Sequence, residues 1–402
     1  MKDLIMICMR FFLLGFSKVV LSIIPKKRNQ IMFTSWFGTK YGDSSRYMFE
    51  YLLQDKKYKV VWMAKDKNLY LSLKNKGLPV VYGKSLSGIW TQIRSKMLVS
   101  SIQTSDYNPY FLRNCVFFDL DHGFALKECG DLIPGIPKWN IQFNHFVRWG
   151  VDFWQSAPTA FCMDKVCKCY SLTPDRIVHC NKPRTDVLFD KTLQHGLNKN
   201  IERIKAGRKA IVWMPTHRSD GKKPISISEL LDLDKLQSLC ARNNIVFIIK
   251  KHFYHKNERE DLERYPNIYD VTNEDVDSQV ILSQADALVS DYSASYIEYL
   301  ILDRPIILYA FDIDEYLKSE RGLFIKFQDN TAGDKVYTSQ ELMKSIERIA
   351  SDWYDTQFAD GRKKARKLYF DKTVPAGFYR DSVKSIIDQL MEGTYCPDWN
   401  KV

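Results

Sequence analysis

From residue 29 to about residue 310, short runs of β-branched and aromatic residues alternate with longer stretches of helical period. No other feature restricts the fold as much, because a strand that leads into a helix before the next strand pairs in parallel. The spacing predicts six strands in a first set, at 30–36, 58–64, 78–83, 96–101, 115–120 and 176–180. A second set of five follows at 209–215, 244–250, 267–271, 286–290 and 305–310. Between the sets lies a charged helical connector, KTLQHGLNKNIERIKAGRK. The expectation is two doubly wound α/β domains, divided as 29–190 and 191–375, with a helix and tail at 376–402. At 402 residues and 45% hydrophobic content the chain has apolar material for two cores.

Residues 1–28 stand apart from this pattern. A spanning helix needs about 20 consecutive apolar residues, and Arg10 and Lys18 interrupt the run here. Asp3, Arg10 and Ser17 recur at heptad spacing with Lys18 beside them, so the segment is expected to be an amphipathic helix lying in a membrane interface. Lys26, Lys27 and Arg28 then add a basic flank suited to an anionic lipid surface. The competing reading is a hydrophobic helix docked on the protein's own core. A cleaved signal peptide fits less well, because charges sit inside the apolar region and no small-residue cleavage site follows.

The formal charge of +11 implies an anionic partner, which charge alone leaves open among nucleic acid, a phosphate-bearing substrate and a membrane. Nucleic acid is disfavoured because no recognised binding module is present. Nine scattered cysteines do not resemble a secreted disulfide framework, and Cys162, Cys167, Cys169 and Cys180 lack a paired C-x-x-C knuckle. The pairs Asp119 with Asp121, Asp275 with Asp277, and Asp312 with Asp314 have the spacing for a divalent ion, but too few other ligands converge. No metal and no cofactor is therefore expected. There is no G-x-G-x-x-G after a strand, which argues against a dinucleotide dehydrogenase.

Ligands of open parallel sheets bind beyond the carboxyl ends of the strands. Five predicted strand ends carry chemistry here: Asp121 and His122; Thr216, His217, Arg218 and Asp220; Lys251 and His252; the Ser290–Ser295 run; and Asp312. The hydroxyl run, SDYSAS at 290–295, opens directly onto a predicted helix. One serine suffices to cap that helix, so the surplus of Ser290, Ser293 and Ser295 points to an anion held by hydroxyls and backbone N–H groups.

Taken in order, HGFALKECG (122–130), KPRTD (182–186), PTHRSD (215–220), KKH (250–252), the segment 290–316 and RGLF (321–324) resemble the CDP-glycerol glycerophosphotransferases of teichoic acid and capsule synthesis. The resemblance implies a glycosyltransferase-B-like fold, with two Rossmann-like domains around an interdomain cleft, the first for the acceptor and the second for the nucleotide donor. It implies peripheral attachment to the cytoplasmic face of the cell membrane. The implied reaction moves glycerol phosphate, or a related polyol phosphate, from CDP-glycerol or CDP-ribitol to a hydroxyl of an undecaprenyl-linked saccharide or polyol-phosphate acceptor, releasing CMP.

By the same resemblance His122 is the candidate base for the acceptor hydroxyl and His252 stands near the donor phosphates. Ser290, Asp291, Ser293 and Ser295 fall in the diphosphate-binding block, and Glu298 is placed at the ribose. Thr216, Arg218, Lys251, Arg184 and Lys127 complete the substrate-binding set. This chain departs from the family motifs at Phe124, Ala125, His217 and Phe253. The roles suit the residue types: an attacking alcohol must lose a proton, and cations stabilise the charge on departing CMP. Asp121 or Asp119 is expected to orient the His122 ring. The rival readings are a nucleotide-sugar glycosyltransferase on the same fold and a non-catalytic membrane-bound scaffold.

Overall fold

A computed structural model describes residues 2–194, 199–218, 224–252, 255, 260–274, 277–319, 322–371 and 378–399. Asp220, Phe253, Asp275 and Arg321 lie outside them. The chain divides into two compact units. The first comprises residues 1–123, 129–186 and 372–402, and the second residues 124–128 and 187–371.

The first unit holds a seven-stranded sheet formed by β1 (Lys27–Phe33), β2 (Lys59–Ala64), β3 (Val80–Tyr82), β4 (Ser95–Ser100), β5 (Val116–Asp119), β6 (Asp152–Ala157) and β7 (Ile177–His179). Its order is β3-β2-β1-β4-β5-β6-β7, and every neighbouring pair is parallel. The second unit holds β8 (Lys209–Trp213), β9 (Ile245–Ile249), β10 (Ile268–Asp270), β11 (Ala287–Ser290), β12 (Ile306–Tyr309) and β13 (Asp334–Val336). These run in the order β10-β9-β8-β11-β12-β13, again all parallel. In both sheets the winding reverses beside the first strand, between β1 and β4 and between β8 and β11. Such a reversal opens a crevice at the carboxyl ends, where open α/β sheets bind ligands.

All eleven expected strands form, most of them trimmed by a residue or two at one or both ends. Two further strands escape the sequence pattern. DFWQSA (β6) mixes acid, amide and aromatic residues, so its β signal is weak although all but Asp152 are buried. DKV (β13) is a three-residue edge strand, too short to show a period. At β1 the sheet begins earlier than expected and ends at Phe33, which releases residues 34–36 into the following loop.

The cores sit on the faces of the two sheets. Ile31, Phe33, Trp62, Val99 and Phe118 pack with Val383, Ile386, Ile387 and Leu390 of the C-terminal helix Tyr379–Glu392. That helix, expected as a trailing element, is thus part of the first unit's core. Asp186 of the KPRTD motif holds its start, accepting from the backbone N–H groups of Tyr379 and Arg380 at 2.9 and 3.0 Å. In the second unit Ile211, Trp213, Phe247, Ile249, Val289 and Ile307 pack against Leu236, Leu239, Leu342 and Ile346.

The first helix, α1 (Lys2–Ser22), joins features of both readings of the N-terminus. Its residues 3–22 are long and apolar enough to cross a membrane by length and composition. One face is docked: Leu14 is fully buried, and Phe11 packs edge-on against Phe143 at 5.4 Å between ring centroids. The placement of Lys18 corrects the expectation that it lies beside the polar face of an interfacial helix. Its side chain is fully buried, with Nζ donating to the Val147 carbonyl at 2.6 Å and to that of Leu112. Burial lowers its pKa to about 8. The opposite face, with Leu4, Ile5, Met9, Phe12, Phe16 and Val19, is exposed. The lysine therefore anchors the helix to the protein, and the apolar side is turned outward.

Candidate functional site

Polar side chains gather at the carboxyl ends of both sheets, and each unit carries its own set. In the first unit His122 follows β5. Its Nδ1 lies 3.2 Å from the Ser101 carbonyl oxygen, and Asp121 Oδ1 is 3.4 Å from the same nitrogen. A carbonyl oxygen only accepts, so Nδ1 carries the proton and Nε2 is left as the basic nitrogen of the neutral ring. The side chain is 41% exposed, which leaves it open to a substrate.

Of the two candidate acids, Asp121 is the one beside this ring. It sits at φ 59° and accepts from the His122 backbone N–H at 2.7 Å. Burial pushes its pKa up, but Lys182, 3.5 Å away, and His122 outweigh burial and hold the carboxyl below its ordinary range. Asp119, the other candidate, is turned elsewhere: it accepts from Ser100 Oγ at 2.6 Å and from Gln103 Nε2 at 3.1 Å. Burial first and then the Asp121 charge raise its pKa to about 6. Arg184 is buried and donates to Asp43 Oδ1 at 2.8 Å, tying the segment after β7 to the start of helix α2 (Asp43–Leu52).

In the second unit Arg218, Thr216 and Asp291 form one network across the β8–β11 reversal. Arg218 donates from Nε and Nη2 to the Asp312 carboxylate at 2.8 and 2.9 Å, and from Nη2 to Asp291 Oδ2 at 3.1 Å and the Tyr292 hydroxyl at 3.0 Å. Its Nη1 donates to the Thr216 carbonyl. Asp291, fully buried, accepts from the Thr216 backbone N–H at 2.9 Å and hydroxyl at 2.7 Å. Burial opposes the guanidinium charge, yet Asp291 and Asp312 raise the Arg218 pKa well above its ordinary value. The guanidinium also lies over the rings of Tyr292, Phe311 and Tyr316, 4.8, 5.3 and 5.3 Å from their centroids. Lys127, expected with the first domain, counts with this unit and stands over the same Tyr316 ring at 5.1 Å.

The serine run is partly occupied within the protein. Ser290 Oγ donates to the Met214 carbonyl at 3.2 Å, and Ser293 caps the helix Ala294–Tyr299 by accepting from the Ser295 N–H at 3.3 Å. Ser293 and Ser295 remain half-buried rather than enclosed. Glu298 is almost fully buried and accepts from Gln279 at 2.6 Å. Lys251 is buried as well, donating to the Ile225 carbonyl at 3.3 Å. His252, half-buried after β9, meets His217 after β8 with ring centroids 4.7 Å apart.

The sequence places His217, Tyr292 and Asp312 near strand ends without giving them a role in this network. Lys182 and Tyr316 lie inside the motif segments 182–186 and 290–316, which is the only signal for them, and nothing in the sequence marks Asp43. Among the described residues no three His, Cys, Asp or Glu side chains are grouped to hold a metal ion.

The family model described as CDP-glycerol:poly(glycerophosphate) glycerophosphotransferase matches residues 16–373. The teichoic acid poly(glycerol phosphate) polymerase of Bacillus spizizenii is 25% identical over 97% of this chain and 100% of its own length. The teichoic acid glycerol-phosphate transferase of Staphylococcus aureus is 24% identical, over 88% of this chain and 90% of its own. Among solved structures, the wall teichoic acid polymerase TagF is similar in fold, with a TM-score of 0.74 at 20% identity over 98% of this chain and 96% of that one.

Proposed function

Because the chain belongs to the CDP-glycerol:poly(glycerophosphate) glycerophosphotransferase family, and is an enzyme by that membership, we propose that it transfers glycerol phosphate from CDP-glycerol to an acceptor hydroxyl, with release of CMP, in teichoic acid synthesis. The observation that carries the reading is the state of His122: an exposed imidazole whose Nδ1–H is engaged by the Ser101 carbonyl and backed by Asp121. That arrangement presents Nε2 as a base and stabilises the imidazolium formed when a proton is taken.

In this reading Nε2 of His122 removes the proton of the acceptor hydroxyl as its oxygen attacks the glycerol-bearing phosphorus. The bond to the bridging oxygen breaks, and CMP leaves with the electron pair. His252, beside Lys251, stabilises the charge on that leaving group, and Ser293 and Ser295 supply hydroxyl donors to the diphosphate. Arg218, Thr216 and Asp291 shape the loops around this donor site. Glu298 fixes the helix that follows the serines, and Arg184 sets the start of α2 in the first unit. The direct test is purified protein with CDP-glycerol and a lipid-linked acceptor. Release of CMP matched by glycerol phosphate on the acceptor supports the reading. Turnover of a nucleotide sugar instead, with CDP-glycerol untouched, would replace it by the glycosyltransferase alternative.

The exposed apolar face of α1 supports membrane attachment as part of this reading. The proposed position is peripheral, on the cytoplasmic side, with the exposed apolar face in the lipid and the Lys18 face on the protein. Phe12 and Phe16 are 70% and 61% exposed on that outer face. Changing both to Glu is expected to weaken binding to anionic vesicles at least about tenfold, since the lost burial of two Phe side chains exceeds the ~1.4 kcal/mol that a tenfold change requires. The melting temperature should stay unchanged. Equal sedimentation of variant and parent with vesicles would count against the outer face as the anchor.

A further inference from the structure

The loop between β1 and α2 reads TSWFGTKYG (34–42), and it carries two bulky residues in the left-handed region, Trp36 at φ 49° and Phe37 at φ 60°. Aromatic residues rarely adopt this conformation, and it persists only where the surroundings impose it. Here they do. The Phe37 backbone N–H donates to Asp106 Oδ1 at 2.6 Å, and Asp106 is itself fully buried and held by the Ser101 and Ile102 N–H groups at 2.9 Å each. Trp36 Nε1 donates to Asp43 Oδ2 at 3.2 Å. Gly38, at φ 76°, is clamped against Lys65, whose backbone N–H donates to its carbonyl at 2.7 Å.

This bracing has a visible result. Trp36 meets His122 edge-on, with ring centroids 5.4 Å apart, while the Phe37 ring stays 49% exposed. Lys40 stands over the Trp36 ring at 5.1 Å. The loop also occupies the β1 side of the first sheet's winding reversal, where a ligand crevice is expected. A strained, braced loop that keeps one aromatic ring in solvent and sets another against an exposed histidine is built to receive something.

We propose that Trp36 and Phe37 form the acceptor platform of this enzyme and that they recognise a saccharide ring presenting its hydroxyl to His122. This rests on the transferase reading above and narrows its acceptor. Two observations favour a sugar over a polyol-phosphate end. Aromatic faces pack against the C–H-lined face of a pyranose, whereas an open-chain glycerol phosphate offers no such flat apolar surface. Two cations of this region, Lys182 and Arg184, are also already matched by carboxylates, Asp121 and Asp43, so a phosphate there would compete with two built-in acids.

The test compares two acceptors with labelled CDP-glycerol and the full chain: a lipid-diphosphate disaccharide, and the same lipid already carrying one glycerol phosphate. The parent enzyme is expected to prefer the disaccharide by about tenfold or more in kcat/KM. Phe37→Ala and Trp36→Ala should each raise the disaccharide KM about 30-fold, as for a buried aromatic anchor. The donor KM should move less than about threefold, within the scatter of sites that do not share contacts. Phe37→Tyr, which keeps the ring, should restore acceptor binding, and thermal unfolding reports whether each variant is folded. Equal use of both acceptors, or an unchanged acceptor KM in folded Phe37→Ala, would overturn the platform while leaving the transferase reading intact. Absence of CMP release with either acceptor would remove both.

Discussion

His122→Gln is expected to lower kcat by about 10³-fold, the middle of the range for removing a positioned general base. The donor KM should change little, because the ring is engaged by Ser101 and Asp121 and belongs to the first unit. Folding should survive, since the side chain is 41% exposed and glutamine retains a donor for the Ser101 carbonyl. A variant with parental turnover would show that the proton goes elsewhere.

Arg218→Met should produce the largest loss of stability in the second unit. The substitution leaves Asp291 and Asp312 without their guanidinium, in surroundings where Asp291 is fully buried. Breaking one partner out of such a buried pair costs about 3–5 kcal/mol, enough to consume much of a domain's stability. Urea unfolding would measure it. Arg218→Met combined with Asp312→Asn should recover part of the loss, because one uncompensated charge is removed. The double variant also separates two roles for the arginine. If Arg218 only shapes the loops, regained stability should bring back most of the donor affinity. If the guanidinium also touches the diphosphate, the donor KM will stay high in a refolded protein. Parental stability in the single variant would mean that the network contributes nothing measurable.

The candidate site was readable at the level of position. A residue that follows a buried strand stands at a carboxyl end, so His122, Thr216, Arg218, Lys251, His252 and Ser290 were located once the strands were. What each side chain engages was not readable in the same way. Glu298 looked available for a ribose, yet it is buried against Gln279. Arg218 looked like a phosphate ligand, yet its donors meet Asp291, Asp312, Tyr292 and the Thr216 carbonyl. The Trp36–Phe37 loop was invisible, because the TSW segment reads as the continuation of a strand and nothing local marks a left-handed aromatic pair.

The order of eleven of the thirteen strands, and hence two parallel sheets with polar carboxyl ends, was present in the chain's local periodicity, because alternation and helical period report how each short segment meets a core. The family likeness rested on short motifs in order and needed no coordinates. Partnerships across the chain were another matter. Arg218 and Asp312 are 94 positions apart, Thr216 and Asp291 are 75, and Lys18 reaches the Val147 carbonyl across 129. No local pattern encodes such pairs, since they depend on which strand lies beside which and on which face of a helix finds a carbonyl to bond. The same physics turned α1 around: a buried lysine with two carbonyl acceptors is satisfied, so its charge faced the protein and its apolar side faced out.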